Sequence, residues 1–212
     1  MRAMNLLWVC AVSIGLSGCA GIMTKSTHST AEKLRNAEEL YEQQNRPVFA
    51  ERQIYEVLNT ARSNNDQLGM AEAYRAYAFF LRSDTLANWR QHFRQEGFLD
   101  PAVSFETRYE KSIDYLEKAR VIFQQHRRYD ALTIVNLNIG FTFEVLGNLD
   151  AACHAFHRSL HNKRVSLEED AMKISLPKGY ATYEDFLAPH RKRAQCGMSR
   201  KQPAKPRRFM SA

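Results

Sequence analysis

The sequence predicts an all-α protein. Between residues 22 and 176 only two prolines, Pro47 and Pro101, interrupt the chain, whereas strand-rich chains need many more turn-forming residues. Apolar residues in this stretch recur at intervals of three and four, which places them on one face of a helix. The apolar fraction of the chain is 44%, which is enough for a packed core. We therefore expect consecutive helices that form one compact domain or a short repeat array.

The first element is a short apolar segment at the N-terminus. Arg2 supplies a positive charge, residues 6–16 are mostly apolar, and the small residues Ser17 and Gly18 precede Cys19. This order is typical of a secretory signal peptide. The apolar run is about half as long as the roughly 20 residues that a membrane-spanning helix needs, so the segment predicts export.

The end of this segment, Leu16-Ser17-Gly18-Cys19, closely resembles the bacterial lipobox. The resemblance implies removal of a signal peptide of residues 1–18, a diacylglyceryl group on Cys19, and acylation of the new amino terminus, for example with palmitate. Two or three acyl chains hold a protein stably on a membrane. Residues 19–29 would then be a lipidated linker. The alternative is an ordinary secretory signal with a chance cysteine.

The residues that follow the cysteine bear on which membrane is involved. Ala20 and Gly21 come next, whereas Asp commonly occupies this place in lipoproteins that stay at the inner membrane. For a Gram-negative source, the resemblance therefore implies a protein anchored on the periplasmic face of the cell outer membrane.

Capping residues divide the body of the chain into helices. Pro47 suits the first turn of a helix, and Asp100-Pro101 is typical of an N-cap followed by proline at the first helical position. Thr182 with Asp185 matches a capping box and predicts a last helix. The predicted helices before it cover roughly residues 31–41, 47–61, 66–81, 83–97, 101–125, 130–146 and 149–162.

Three small residues are spaced as in a helical repeat. Ala37 precedes Ala71 by 34 residues, and Ala71 precedes Gly140 by 69. Gly140 with Ala152 and Phe156 matches the tetratricopeptide (TPR) pattern, in which small residues let two helices approach closely. Residues 30–162 thus resemble about three degenerate repeats, with an insertion at about 83–105. This implies a short TPR-like α-solenoid of antiparallel helix pairs, the alternative being a generic helical bundle.

The resemblance also implies a partner-binding groove. Repeat arrays expose a concave face built mainly by the first helix of each pair. In the best-matching repeat this face would contain Ile134, Leu137, Phe141, Glu144 and Val145. In the repeat anchored by Ala71 the matching positions are Asn65, Leu68, Glu72, Arg75 and Ala76. An apolar groove of this kind fits an amphipathic helix or extended segment of a partner protein.

A competing prediction concerns the C-terminal segment, residues 163–196. Its apolar side chains, which include Tyr183, Phe186 and Leu187, could cover the same face of the last repeat. The segment would then be a capping helix, since repeat arrays need covered ends.

Two cysteines would remain besides Cys19 after processing. Cys153 and Cys196 would lie in an oxidising compartment, where such pairs tend to close. A disulfide between them would span 43 residues and contribute about 4 kcal/mol by chain-entropy arguments. The alternative is a buried free Cys153 and an exposed Cys196.

Three histidines fall on one stripe of the helix over 149–162. His154, His157 and His161 lie within about 60° of one another, on the side away from the apolar face. No acidic or cysteine partner accompanies them in sequence, so we expect a solvent-exposed face without metal. A metal site and a pH-dependent contact are the alternatives.

The predicted insertion carries several aromatic residues. Trp89, Phe93 and Phe98 lie close together in this segment. They are expected to form either a small core within the insertion or a contact with a partner.

The positive charge is concentrated near the C-terminus. Eight basic residues follow Asp185 without an acid among them, which exceeds the net charge of +7 of the whole chain. They are Arg191, Lys192, Arg193, Arg200, Lys201, Lys205, Arg207 and Arg208. Residues 197–212 are expected to be a basic disordered tail. An exported chain does not meet nucleic acid, so an anionic lipid or cell-wall polymer is the ligand that this charge predicts.

No motif predicts an enzyme or a cofactor. The sequence has no glycine-rich phosphate loop, nucleophile elbow or His-Glu-x-x-His pair. The prediction is therefore a lipid-anchored periplasmic scaffold or adaptor that binds an envelope protein, as a pilotin or an assembly factor does. The alternative is a cell-wall or envelope-polymer tether that acts through the basic tail.

Overall fold

The computed structural model describes residues 29–168, 176 and 178–197. All regular elements in these residues are helices, which confirms the prediction of an all-α protein. They are α1 (Thr30–Glu42), α2 (Pro47–Ser63), α3 (Gln67–Arg82), α4 (Thr85–Asn88), α5 (Arg90–Gln95), α6 (Arg108–Gln125), α7 (Tyr129–Val145), α8 (Leu149–Glu168) and α9 (Tyr183–Arg193).

The long helices pack in the order of the chain. α1 packs on α2, α2 on α3, α3 on α6, α6 on α7, α7 on α8, and α8 on α9, while α1 also contacts α3. The result is three packed pairs, α1–α2, α3–α6 and α7–α8, followed by α9. Each helix thus buries its apolar face mainly against its neighbours along the chain.

α7 and α8 are in direct contact at Gly140. A Cβ atom placed at this position would lie 2.4 Å from Cε1 of the Phe156 ring, far inside ordinary contact distance. The Phe156 ring is fully buried and has little room to retreat. Glycine is therefore the residue that this helix contact requires, in agreement with the small residue predicted there.

The insertion between α3 and α6 joins the main core. Phe93 and Phe98 stack with ring centroids 4.5 Å apart, and Phe93 meets Phe80 of α3 edge-on at 6.1 Å. Both belong to the same buried cluster as the residues of α1, α2, α3 and α6. Trp89 is half-buried and donates a hydrogen bond to Oδ1 of Asn45 at 2.9 Å. The insertion is therefore neither a separate core nor an open aromatic surface.

The helix predicted from Pro101 begins later than expected. α6 starts at Arg108, because the preceding turns bury Val103 and Phe105 in the core. The Asp100 carboxylate accepts a hydrogen bond from the Tyr115 hydroxyl at 2.6 Å. It therefore anchors the turn to α6.

The capping box predicted for the last helix is confirmed. The Thr182 side chain accepts a hydrogen bond from the Asp185 N–H at 3.0 Å, and the Asp185 carboxylate accepts one from the Thr182 N–H at 3.1 Å. Tyr183 and Leu187 of α9 are buried, and the Tyr183 hydroxyl lies 2.7 Å from Oγ of Ser159 on α8. These contacts fix α9 on the last helix pair.

Candidate functional site

The groove predicted on α7 is covered by α9. The Phe141 ring lies 4.5 Å from the His190 ring and 6.4 Å from the Phe186 ring, measured between centroids. The Glu144 carboxylate lies 3.0 Å from Nδ1 of His190 and accepts a hydrogen bond from Nε of Arg193 at 3.3 Å. α9 therefore contributes both apolar and charged groups to this face.

The prediction of an open partner-binding face at Ile134, Leu137, Phe141, Glu144 and Val145 is corrected accordingly. Leu137 is only 8% exposed and packs in the same cluster as Leu187 of α9. Phe141 and Glu144 are engaged as described, and Ile134 is half-buried. Val145 is 61% exposed and is the one residue of the set that stays open. The face is covered by α9, which belongs to the C-terminal segment of the competing prediction.

An open groove lies between α1, α3 and α7, and we call it the α1–α3–α7 groove. Its first part is a cavity of about 310 Å³. Glu72, Arg75 and Ala76 line it, as the repeat spacing predicts, whereas Asn65 and Leu68 do not. The other lining residues are Ala31, Leu34, Arg35, Glu38, Tyr41, Ile54 and Phe79.

The groove continues into a second cavity of about 400 Å³. Glu38, Tyr41 and Phe79 line both cavities, so the two cavities adjoin each other. The second cavity is lined in addition by Glu42, Arg82, Ser83, Asp84, Tyr109, Asn138 and Val145. Val145 is thus the predicted groove residue that the structure does place in a groove.

The two parts of the groove differ in charge. In the first part, Arg75 forms an ion pair with Glu72. The second part contains three carboxylates, those of Glu38, Glu42 and Asp84, and one arginine. Burial raises the pKa of Glu42, and the neighbouring charges of Glu38 and Asp84 raise it further. The second part therefore holds mutually repelling negative charges that a bound cation would relieve.

Arg82, the arginine of the second part, contacts α7. Its guanidinium donates a hydrogen bond to Oδ1 of Asn138 at 2.6 Å. Burial lowers the pKa of Arg82, an effect that Tyr109 and Tyr41 oppose. The arginine thus links α3 to α7 and fixes the floor of the second cavity.

A buried carboxyl group lies beside a separate cavity on α2. Glu51 is 3% exposed, and its Oε1 accepts hydrogen bonds from the Tyr77 hydroxyl and the Leu99 N–H, both at 2.8 Å. Burial raises the pKa of Glu51 to about 7, although the two hydrogen bonds act in the opposite direction. Sequence reasoning missed this residue. The available signal was its spacing of three and seven residues from Ile54 and Leu58, which puts it on the buried face of α2.

The cysteines and one histidine form a compact cluster. Cys153 and Cys196 are joined in a disulfide with their Cα atoms 5.4 Å apart, which ties the end of α9 to α8. The ligand atoms of these cysteines and of His157 lie within 4.8 Å of one another. His154 and His161 are exposed, as predicted. The spacing of four residues between Cys153 and His157 was the signal that sequence reasoning overlooked.

Several predicted features lie outside the described residues. They are the signal peptide, Cys19 with most of its linker, and the basic tail beyond Gly197. Within the described helices, none is long and apolar enough to cross a membrane. The chain matches no protein-family model, and neither curated proteins nor solved structures gave a significant match.

Proposed function

We propose that this protein is a lipid-anchored scaffold or adaptor on the periplasmic face of the bacterial outer membrane. It binds an extended segment of another envelope protein in the α1–α3–α7 groove, in a pilotin-like or assembly-factor role, and it is not an enzyme. The lipobox-like residues Leu16 to Cys19 support the anchor. The observation that carries the binding function is the pair of adjoining cavities that make up this groove.

The finer description of the fold belongs to the same proposal. Helix pairs that pack in chain order, together with the contact between Gly140 and Phe156, support a short TPR-like α-solenoid. In this description α1, α3 and α7 are the first helices of successive pairs and form the concave face. α9 is the C-terminal capping helix, because it covers the apolar end of the last pair.

The lining of the groove defines the chemistry of the partner segment. The first cavity offers Leu34, Ile54 and Phe79 to an apolar side chain, and its Arg75 is paired internally. The second cavity offers an excess of carboxylates to a basic side chain. The segment therefore carries an apolar residue followed or preceded by lysine or arginine, and it binds in an extended form so that it reaches both cavities.

Peptide selection tests this assignment without knowledge of the natural partner. Peptides selected from a random library on the purified full chain should combine apolar residues with lysine or arginine. Their affinity should fall about tenfold in the Glu42→Gln/Asp84→Asn double variant. The loss should shrink at high salt, because added ions screen exposed charges.

The matched control is the Glu56→Gln/Glu110→Gln double variant. Both of these carboxylates are exposed on other helices, and their removal changes the net charge by the same amount. We expect this variant to bind the selected peptides like the unsubstituted protein. Selection of acidic peptides, or equal losses in the two double variants, would contradict the proposal.

A further inference from the structure

We propose that Cys153, Cys196 and His157 form a redox-gated zinc site, which binds one zinc ion when the disulfide is reduced. The two sulfur atoms and an imidazole nitrogen lie within 4.8 Å of one another. Two thiolates and an imidazole are ligands that zinc prefers. The site is separate from the α1–α3–α7 groove and does not depend on the function proposed for that groove.

Two helices hold the ligands in place. Cys153 and His157 are four residues apart on α8, so their side chains lie one turn apart on the same face. Cys196 follows α9, where its N–H donates to the carbonyl oxygen of Arg191 at 2.9 Å. Leu187 and Ala194, which precede Cys196 in the chain, are buried. The backbone that carries Cys196 is therefore held against the last helix pair by packing as well as by the disulfide.

Small side-chain movements convert the cluster into a metal site. With Zn–S bonds of about 2.3 Å and Zn–N bonds of about 2.0 Å, the ligand atoms of a tetrahedral site are about 3.5–3.8 Å apart. After cleavage of the S–S bond, the two sulfurs separate and the imidazole turns toward them. His157 is exposed, so its ring is free to turn. The fourth position faces solvent, where a water molecule completes the coordination.

The charges around the cluster suit a thiolate site. Although the side chain is exposed, partial desolvation lowers the pKa of His157, and the nearby Arg191 of α9 and His154 of α8 lower it further. Zinc binds the neutral form of an imidazole. Two thiolates balance the charge of Zn²⁺, so the loaded site adds no net positive charge beside Arg191.

The disulfide and the zinc site exclude each other chemically. A dithiol reductant transfers two electrons and two protons to the S–S bond, which breaks to give two thiols, while the reductant becomes a disulfide. Zinc then displaces the two thiol protons and forms two Zn–S bonds, and the imidazole nitrogen adds its lone pair. In the reverse direction a small-molecule disulfide accepts two electrons from the two thiolates and two protons from solvent and becomes two thiols, while the S–S bond between Cys153 and Cys196 re-forms and Zn²⁺ is released.

The test uses the full chain carrying Cys10→Ser and Cys19→Ser, which leaves Cys153 and Cys196 as its two cysteines. The protein is reduced with dithiothreitol, desalted without oxygen, and titrated with Zn²⁺ or with Co²⁺ as a spectroscopic probe. We expect one equivalent of metal to bind and a thiolate-to-cobalt charge-transfer band to appear. The oxidised protein should bind neither ion at this site.

Single substitutions assign the ligands. Cys153→Ser or Cys196→Ser, each of which keeps one thiolate, should weaken both the charge-transfer band and Zn²⁺ binding, and His157→Ala should weaken Zn²⁺ binding about tenfold or more. His154→Ala is the matched control, because it is an exposed histidine on the same helix, and it should bind within about twofold of the parent. Circular dichroism checks that each variant keeps its helices. Equal Zn²⁺ binding by the oxidised protein, or by His157→Ala and His154→Ala, would overturn the proposal.

Discussion

The Glu51→Gln variant should be more stable than the unsubstituted protein at pH 8, by roughly 3 kcal/mol. Burial raises the pKa of Glu51 from 4.5 to about 7 in the folded protein, whereas the unfolded chain keeps the ordinary value. The folded protein therefore binds more protons between these two pH values. Its free energy of unfolding falls as the pH rises from about 4.5 to about 7, and this group has no further effect above that.

The size of the effect follows from the same numbers. A change of one in pKa corresponds to about 1.4 kcal/mol, so the change from 4.5 to about 7 corresponds to about 3 kcal/mol. Glutamine removes the buried charge and keeps an oxygen that can accept from the Tyr77 hydroxyl and the Leu99 N–H. At pH 4 both proteins carry a neutral group, so their stabilities should agree within about 1 kcal/mol.

Urea unfolding at pH 4 and pH 8 measures this difference. Glu56→Gln is the matched control, because Glu56 is exposed on the same helix, and its effect should stay within about 0.5 kcal/mol at both pH values. If the Glu51→Gln variant is less stable than the unsubstituted protein at pH 8, the buried carboxylate does not lower the free energy of unfolding, and the prediction is wrong.

Gly140→Ala should destabilise the protein by about 2 kcal/mol, although glycine to alanine inside a helix normally stabilises by about 0.5–1 kcal/mol. The added methyl group would lie 2.4 Å from Cε1 and 2.6 Å from Cδ1 of Phe156. Both helices are packed on their other sides, so α7 and α8 must move apart or the Phe156 ring must leave its rotamer. Urea unfolding of the purified variant measures the loss.

A second background isolates the clash. Phe156→Ala alone should cost about 3–5 kcal/mol, because it removes a buried ring and leaves a cavity. In that background Gly140→Ala should be neutral or stabilising. The added methyl group can occupy the space of the missing ring, and alanine is normally preferred to glycine inside a helix. An equal effect of Gly140→Ala in both backgrounds would mean that the two residues are not coupled, and that the α7–α8 contact is not as described.

The features that were predicted best from the amino-acid sequence depend on residues that are close together in the chain. The contact between Gly140 and Phe156 joins neighbouring helices, and the residue spacing of the TPR pattern that the sequence resembles is enough to predict it. The capping box of Thr182 and Asp185 is equally local. The predicted start of α6 at Pro101 was wrong. Asp100-Pro101 favours a helix start locally, but the burial of Val103 and Phe105 in the core keeps the following residues in turns.

The candidate site depends on contacts that are distant in sequence. Whether Phe141 faces a partner or is covered depends on α9, which lies more than 40 residues further along the chain. The apolar pattern of α7 was therefore compatible with both outcomes. The acidic end of the groove combines Glu38 of α1 with Asp84, which lies between α3 and α4. The proximity of His157 to Cys196 likewise required the fold to bring α9 onto α8.

The most direct test of the central proposal is site-specific photo-crosslinking in living bacteria. A photoreactive phenylalanine derivative at Phe79, which lines both cavities of the α1–α3–α7 groove, should crosslink to one envelope protein. The same derivative at Phe141, which α9 covers, and at Val121, which is 48% exposed on α6, should give no such product. Crosslinking of that protein from position 141 or 121 but not from position 79 would contradict the account.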